Sequence, residues 1–123
     1  GGQYVARTLP ATTMIAVEIA PIAPEYDIEM SPAPVVFYKD LYTYDKRLCD
    51  RLVAIGDEAG FGSQRGIFRS LGTDVSLALK AGLVGRGSCI GFPTENTHGY
   101  EMANFESIGN CARLLATYLA DPD

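Results

Sequence analysis

The chain has 123 residues, with 10 Lys and Arg against 15 Asp and Glu (formal net charge −5), 47% hydrophobic residues, 13 Gly, 7 Pro, 3 Cys, 1 His and no Trp. That length and apolar content suit one packed domain of roughly 100–150 residues and argue against intrinsic disorder. The acidic balance makes nucleic acid and anionic membrane poor partners, and no run approaches the ~18 apolar residues of a membrane span.

The chain opens Gly1-Gly2 without Met, which reads as a processed product or the cut edge of a longer chain, and no signal-peptide pattern follows. Residues 14–20 (MIAVEIA) are apolar and partly β-branched, bounded by Thr12-Thr13 and Pro21, which predicts a buried strand with Glu18 inside it. The Pro-rich stretch 21–34 can only be loop or edge structure. A second strand is expected at 35–38 (VVFY), closed by Lys39-Asp40. Asp45 is a candidate N-cap for a helix to about residue 59, because Leu48, Leu52, Ile55 and Ala59 recur at helical spacing and Gly60 supplies the stop. A third strand fits 64–69, and a short helix capped by Thr73 or Asp74 fits the stretch up to Gly82. A fourth strand is expected at 88–92, then a polar loop over 93–101 (PTENTHGYE). A last helix spans about 104–120, with Phe105, Ile108, Ala112, Leu115 and Leu119 as its apolar stripe. The order of strands and helices predicts an α/β layered domain with short crossovers.

Two residues break the local pattern. Glu18 puts a carboxylate into a strand written for burial, where it needs a hydrogen bond, a counter-charge or a metal. His98 is the single histidine and lies in the loop after a predicted strand, at the end of the sheet where open α/β folds place their sites. A carboxylate oxygen and an imidazole nitrogen suit zinc, cobalt or manganese, yet two donors are too few for a site. Capping accounts for Thr73 and Asp74. Glu101 has two readings, as an acceptor for the His98 imidazole or as a cap of the last helix. The run 82–87 is glycine-rich but precedes a strand, the wrong context for a phosphate cradle, and no GxGxxG opens a helix. Cys49, Cys89 and Cys111 have no CxxC spacing and read as packed, reduced cytosolic thiols.

Taken in order, IAVEIAP, PVVFYKD, LGTDVSLALKAG, CIGFPTENTHGYE and IGNCARLLATYL resemble the C-terminal part of the catalytic domain of the dinuclear-metal aminopeptidases of the tetrahedral (TET, FrvX-type) group, some members of which are labelled endoglucanases. GGQYVART resembles the stretch that follows this family's paired glutamates. The resemblance implies a zinc-peptidase-like α/β three-layer sandwich with a mixed central sheet, of which residues 1–123 are the C-terminal portion. It also implies metal-assisted hydrolysis of N-terminal residues from peptides. His98 matches the histidine ligand of one metal and Glu18 the acidic ligand of the other, where many members have Asp. Gly72, Thr73 and Asp74 match the glycine-rich turn beside the substrate. The implied cofactors are two divalent ions, zinc or cobalt first and manganese next. The implied particle is a cytoplasmic homo-oligomer, a dodecamer in many members, with a peptide substrate and neither nucleic acid nor membrane as partner. The family's general base, bridging aspartate and N-terminal histidine lie upstream of the stretch that Gly1 matches, so this segment alone is expected to be inactive. The competing reading is a non-catalytic α/β module, a degenerate homologue used for assembly or ligand binding.

Overall fold

A computed structural model describes residues 1–122. The elements in chain order are α1 (Gly2–Thr8), β1 (Thr13–Pro21), β2 (Val35–Lys39), α2 (Lys46–Glu58), β3 (Gln64–Ile67), α3 (Asp74–Lys80), β4 (Arg86–Glu95), β5 (Met102–Ala103) and α4 (Phe105–Ala120). The strands form one sheet in the order β1-β4-β2-β3, with β5 against the end of β4. β1 is parallel to β4 and β2 to β3, whereas β2 and β4 are antiparallel, so the sheet is mixed as expected.

Successive residues of a strand face opposite sides of its sheet, and β4 shows what each side packs against. A Cβ on Gly87 would lie 2.4 Å from Val75 Cγ1, so α3 seats directly on that side. The next residue, Ser88, is buried with its hydroxyl 3.4 Å from Cys49 Sγ, which places α2 on the other. α4 packs on α2 and β4. Helices therefore cover both faces, giving three layers around a core that includes Val36, Phe37, Leu52, Phe68, Ile90 and Leu114.

The caps agree with the residues that supply them. Asp45 precedes α2 and accepts a hydrogen bond from Leu48 N at 2.8 Å, and Gly60 leaves the helix end at φ +84°. Asp45→Ala is expected to cost about 1 kcal/mol of stability, read as a lower urea midpoint at unchanged slope. Thr73 and Ser76 form a reciprocal capping box on α3.

Four expectations are corrected. β4 runs on through Pro93, Thr94 and Glu95, because Ala20 and Pro21 of β1 pair with Pro93 and Thr94 while β5 pairs with Thr94 and Glu95; the loop is only 96–101. β3 stops at Ile67, since the Phe68 N–H turns to the Lys39 carbonyl. α1 and β5 lie where no element was expected. On α4 the core-facing residues are Ser107, Asn110, Cys111, Leu114 and Tyr118, whereas Phe105 is 88% and Leu119 65% exposed. Helical spacing offered two overlapping stripes, and small or satisfied polar groups won the close contact. The Asn110 amide donates to the Pro32 carbonyl at 3.0 Å, and the Ser107 hydroxyl to the Asn104 carbonyl at 2.6 Å.

Candidate functional site

β1 carries Glu18 beside Gly91 of β4, and Gly91 makes that approach possible: a Cβ there would lie 2.9 Å from the Glu18 carbonyl oxygen. Along β1 the even-numbered residues bond β4, as the Thr12 carbonyl and the Ile22 N–H show at its two ends. Odd-numbered residues therefore turn their peptide groups to the open edge of the sheet. Glu18, half-buried, folds its carboxylate over that edge, and Oε2 accepts from Ile19 N at 2.9 Å. The carboxylate that violated the apolar pattern has a local partner.

His98 stands in the loop after β4 with its side chain exposed. Asn96 and His98 both hold left-handed backbone, at φ +57° and +65°, which costs a non-glycine residue about 1 kcal/mol or more and persists where surrounding contacts fix it. Here Glu101 supplies the contact, its carboxylate accepting from the His98 backbone N–H at 2.8 Å. This corrects both readings of Glu101: it neither meets the imidazole in a hydrogen bond nor caps α4, which Asn104 does.

Both residues line one cavity of about 550 Å³. β1 contributes Glu18 and Ile19, the Pro-rich segment contributes Ile22, Glu25 and Tyr26, the turn after β3 contributes Ser70, Leu71 and Gly72, and the loop after β4 contributes Asn96, Thr97 and His98. The Tyr26 ring meets Phe68 edge-on at 4.9 Å, and Phe68 packs 4.5 Å from Phe37, so this wall is anchored in the core.

Of the matched turn, Gly72 lines the cavity, while Thr73 and Asp74 are engaged elsewhere. Asp74 accepts from Gly2 N at 3.1 Å and ties α1 to α3. Thr73 is buried, its hydroxyl 2.6 Å from that of Tyr44, which in turn donates to Asp40 at 2.6 Å. Tyr44 has one proton and gives it to Asp40, so Thr73 donates to Tyr44. Asp40 is fully buried and also accepts from Tyr42 N at 2.9 Å. Burial first, and then the bond to Asp40, hold the Tyr44 phenol well above the ordinary tyrosine range. This network braces the turn that forms one cavity wall. Sequence reading treated Asp40 only as a strand end and passed over Glu25 and Tyr26 as loop. The Ala-Pro-Glu-Tyr turn was a usable signal, because Pro at the second position of a turn fixes where the third points.

The donor set is incomplete as a metal centre. Among the described residues no three of His, Cys, Asp and Glu converge, whereas a catalytic zinc takes three protein donors. The three cysteines are buried and free. Burial pushes Cys49 up to about 11 and Cys111 to about 12, so neither is poised as a thiolate ligand.

Known structures share this architecture. A TET aminopeptidase from a marine-sediment archaeon, Thaumarchaeota archaeon SCGC AB-539-E09, superposes with a TM-score of 0.91 at 17% identity, over 100% of this chain and 36% of its own. The Pyrococcus horikoshii TET1 peptidase, which can assemble into a tetrahedron or a large octahedral shell, gives 0.80 at 19% identity over 94% and 35%. An endoglucanase from Thermotoga maritima gives 0.66 at 13% identity over 95% and 36%. The chain thus spans little more than a third of the length of these structures. No protein of curated function matches it. The sequence model of one peptidase family matches residues 1–114, and with the mixed sheet and its helical layers this places the chain in the M42 glutamyl aminopeptidase family.

Proposed function

We propose that this chain is the C-terminal portion of the catalytic domain of a metal-dependent aminopeptidase, in which Glu18 and His98 each give one donor to a two-metal centre completed by residues outside the chain. The observation that carries the reading is that Glu18 on β1 and His98 in the loop after the neighbouring parallel strand β4 line one cavity. Carboxylate and imidazole donors suit zinc or cobalt, with manganese next. Ser70, Leu71 and Gly72 would border the substrate, with Thr73 and Asp74 behind them as supports. Three unpaired cysteines are in keeping with a cytoplasmic protein, and the assemblies formed by the TET1 peptidase support a homo-oligomer.

Among the described residues, no third His, Cys, Asp or Glu groups with Glu18 and His98 closely enough to hold a metal ion with them. The 123-residue chain is therefore expected to leave a leucine anilide uncleaved, while the full-length protein cleaves it. His98→Ala in the full-length protein should lower kcat/KM at least about a hundredfold and reduce bound metal, since even partners behind a ligand are worth 10–100-fold. An unchanged rate with unchanged metal content would remove His98 from the site. The bond from Ile19 N to Glu18 favours a second reading, in which Glu18 only seals the sheet edge of a non-catalytic module. A full-length protein that binds no metal and cleaves no aminoacyl anilide would establish that one.

A further inference from the structure

Apart from His98, the titratable side chains lining the cavity are Glu18, Glu25 and Tyr26, and no Lys or Arg is among them. Glu18 is already engaged with Ile19 N, whereas Glu25 has no ion-pair or hydrogen-bond partner among the described residues. Its side chain is exposed at the cavity wall, and its backbone is fixed. The Ala23 carbonyl accepts from Tyr26 N at 3.0 Å, closing a turn with Pro24 second and Glu25 third, and the Tyr26 ring is docked on Phe68. Around it, Ile19, Ile22, Leu71 and the Tyr26 ring offer apolar surface for an aliphatic stem.

We infer that Glu25 makes this cavity select a cationic side chain, Lys or Arg, over an acidic one. The inference rests on the aminopeptidase reading for the identity of the ligand, the N-terminal residue of a peptide. A lysine stem would lie along the apolar wall with its ammonium at Glu25 and near the Tyr26 ring. A glutamate side chain would meet a like charge. The counter-charge to consider is Arg69, next to Ser70; the Arg69 backbone N–H donates to the Tyr26 hydroxyl at 3.5 Å. Arg69 itself does not line the cavity.

The test is a calorimetric or NMR titration of the full-length protein with lysine amide, norleucine amide, which has a similar stem without the charge, and glutamic acid α-amide. Lysine amide should bind about threefold tighter than norleucine amide, the size of an exposed ion pair, with glutamic acid α-amide weakest. Glu25→Gln should erase the gap between lysine and norleucine, 0.5 M salt should shrink it, and Arg69→Ala should leave the order unchanged. Equal affinities, no binding of any of the three, or a glutamate preference lost in Arg69→Ala would overturn the inference. Anilide hydrolysis separates it from the reading beneath it. Cleavage of leucine anilide without lysine-selective binding keeps the peptidase and removes the role of Glu25. Lysine-selective binding with no cleavage of any anilide does the reverse.

Discussion

Asp40→Ala is expected to lower the unfolding free energy by about 3 kcal/mol, because it strips the acceptor from two groups, one of them the buried Tyr44 hydroxyl, which has no water to turn to. Tyr44 would lose the partner for its O–H and Tyr42 the partner for its N–H, in a pocket where Asp40 is fully buried. Asp40→Asn keeps one carbonyl acceptor and should fall between. Urea denaturation followed by tyrosine fluorescence measures both, and equal midpoints for wild type and Asp40→Ala would show the network to be dispensable. Tyr44→Phe tests the same network through pH. A phenol whose folded pKa is raised contributes stability in full below its ordinary value of 10.0 and loses it as pH climbs above that, because there only the unfolded chain gains by ionising. Tyr38, pushed up to about 12 by burial and then by its bond to Asp50, and Cys49, pushed up to about 11 by burial, act with the same sign. Stability should therefore decline from pH 9–10 upward, and Tyr44→Phe should make that decline shallower without abolishing it. An unchanged slope would assign the alkaline limb to the other groups.

Phe68→Ala should have the largest effect of any single core truncation, about 3–5 kcal/mol. The ring is fully buried between Phe37 and Tyr26, and few neighbours can close the space, since Gly66 beneath it has no side chain to move. The loss is expected in thermal and urea unfolding alike. Because Tyr26 rests on Phe68, the variant should also weaken whatever binds the cavity, even at temperatures where it stays folded. A variant less than 1 kcal/mol below wild type would mean the surrounding rings collapse into the gap.

The legible parts of this fold were those set by local chemistry. Asp45, Thr73 and Gly60 announced the ends of α2 and the start of α3 because a cap is decided within four residues. β2 was legible as a buried strand because an apolar β-branched run has few other uses; β1 was legible as a strand, but its expected burial is corrected, since it forms the outer strand with Val17 57% exposed and only Ala20 buried. What escaped depended on partners distant in sequence. Pro93 to Glu95 became strand because β1 and β5 pair with them, and no property of PTE itself demands it. The buried side of α4 follows from bonds to Pro32 and contact with α2, which the spacing of its leucines cannot reveal. At the site, Glu18 and His98 stood out as exceptions to their surroundings. Glu25 and Asp40 looked like ordinary loop acids until the fold brought one to a cavity wall and buried the other.

The outward row of peptide groups on β1 bears on how these 123 residues behave by themselves in concentrated solution. An apolar outer strand is a template on which other chains can stack into aggregates. On this one, Thr13, Ile15 and Val17 offer donors, Ile19 has its donor taken by Glu18, and Pro21 has none to offer. A foreign strand would find outward N–H donors at the first three of these five positions and none at the last two. Among the described residues Glu18 thus shortens the stretch of β1 edge that can pair, and it does so with one oxygen, Oε2, on Ile19 N.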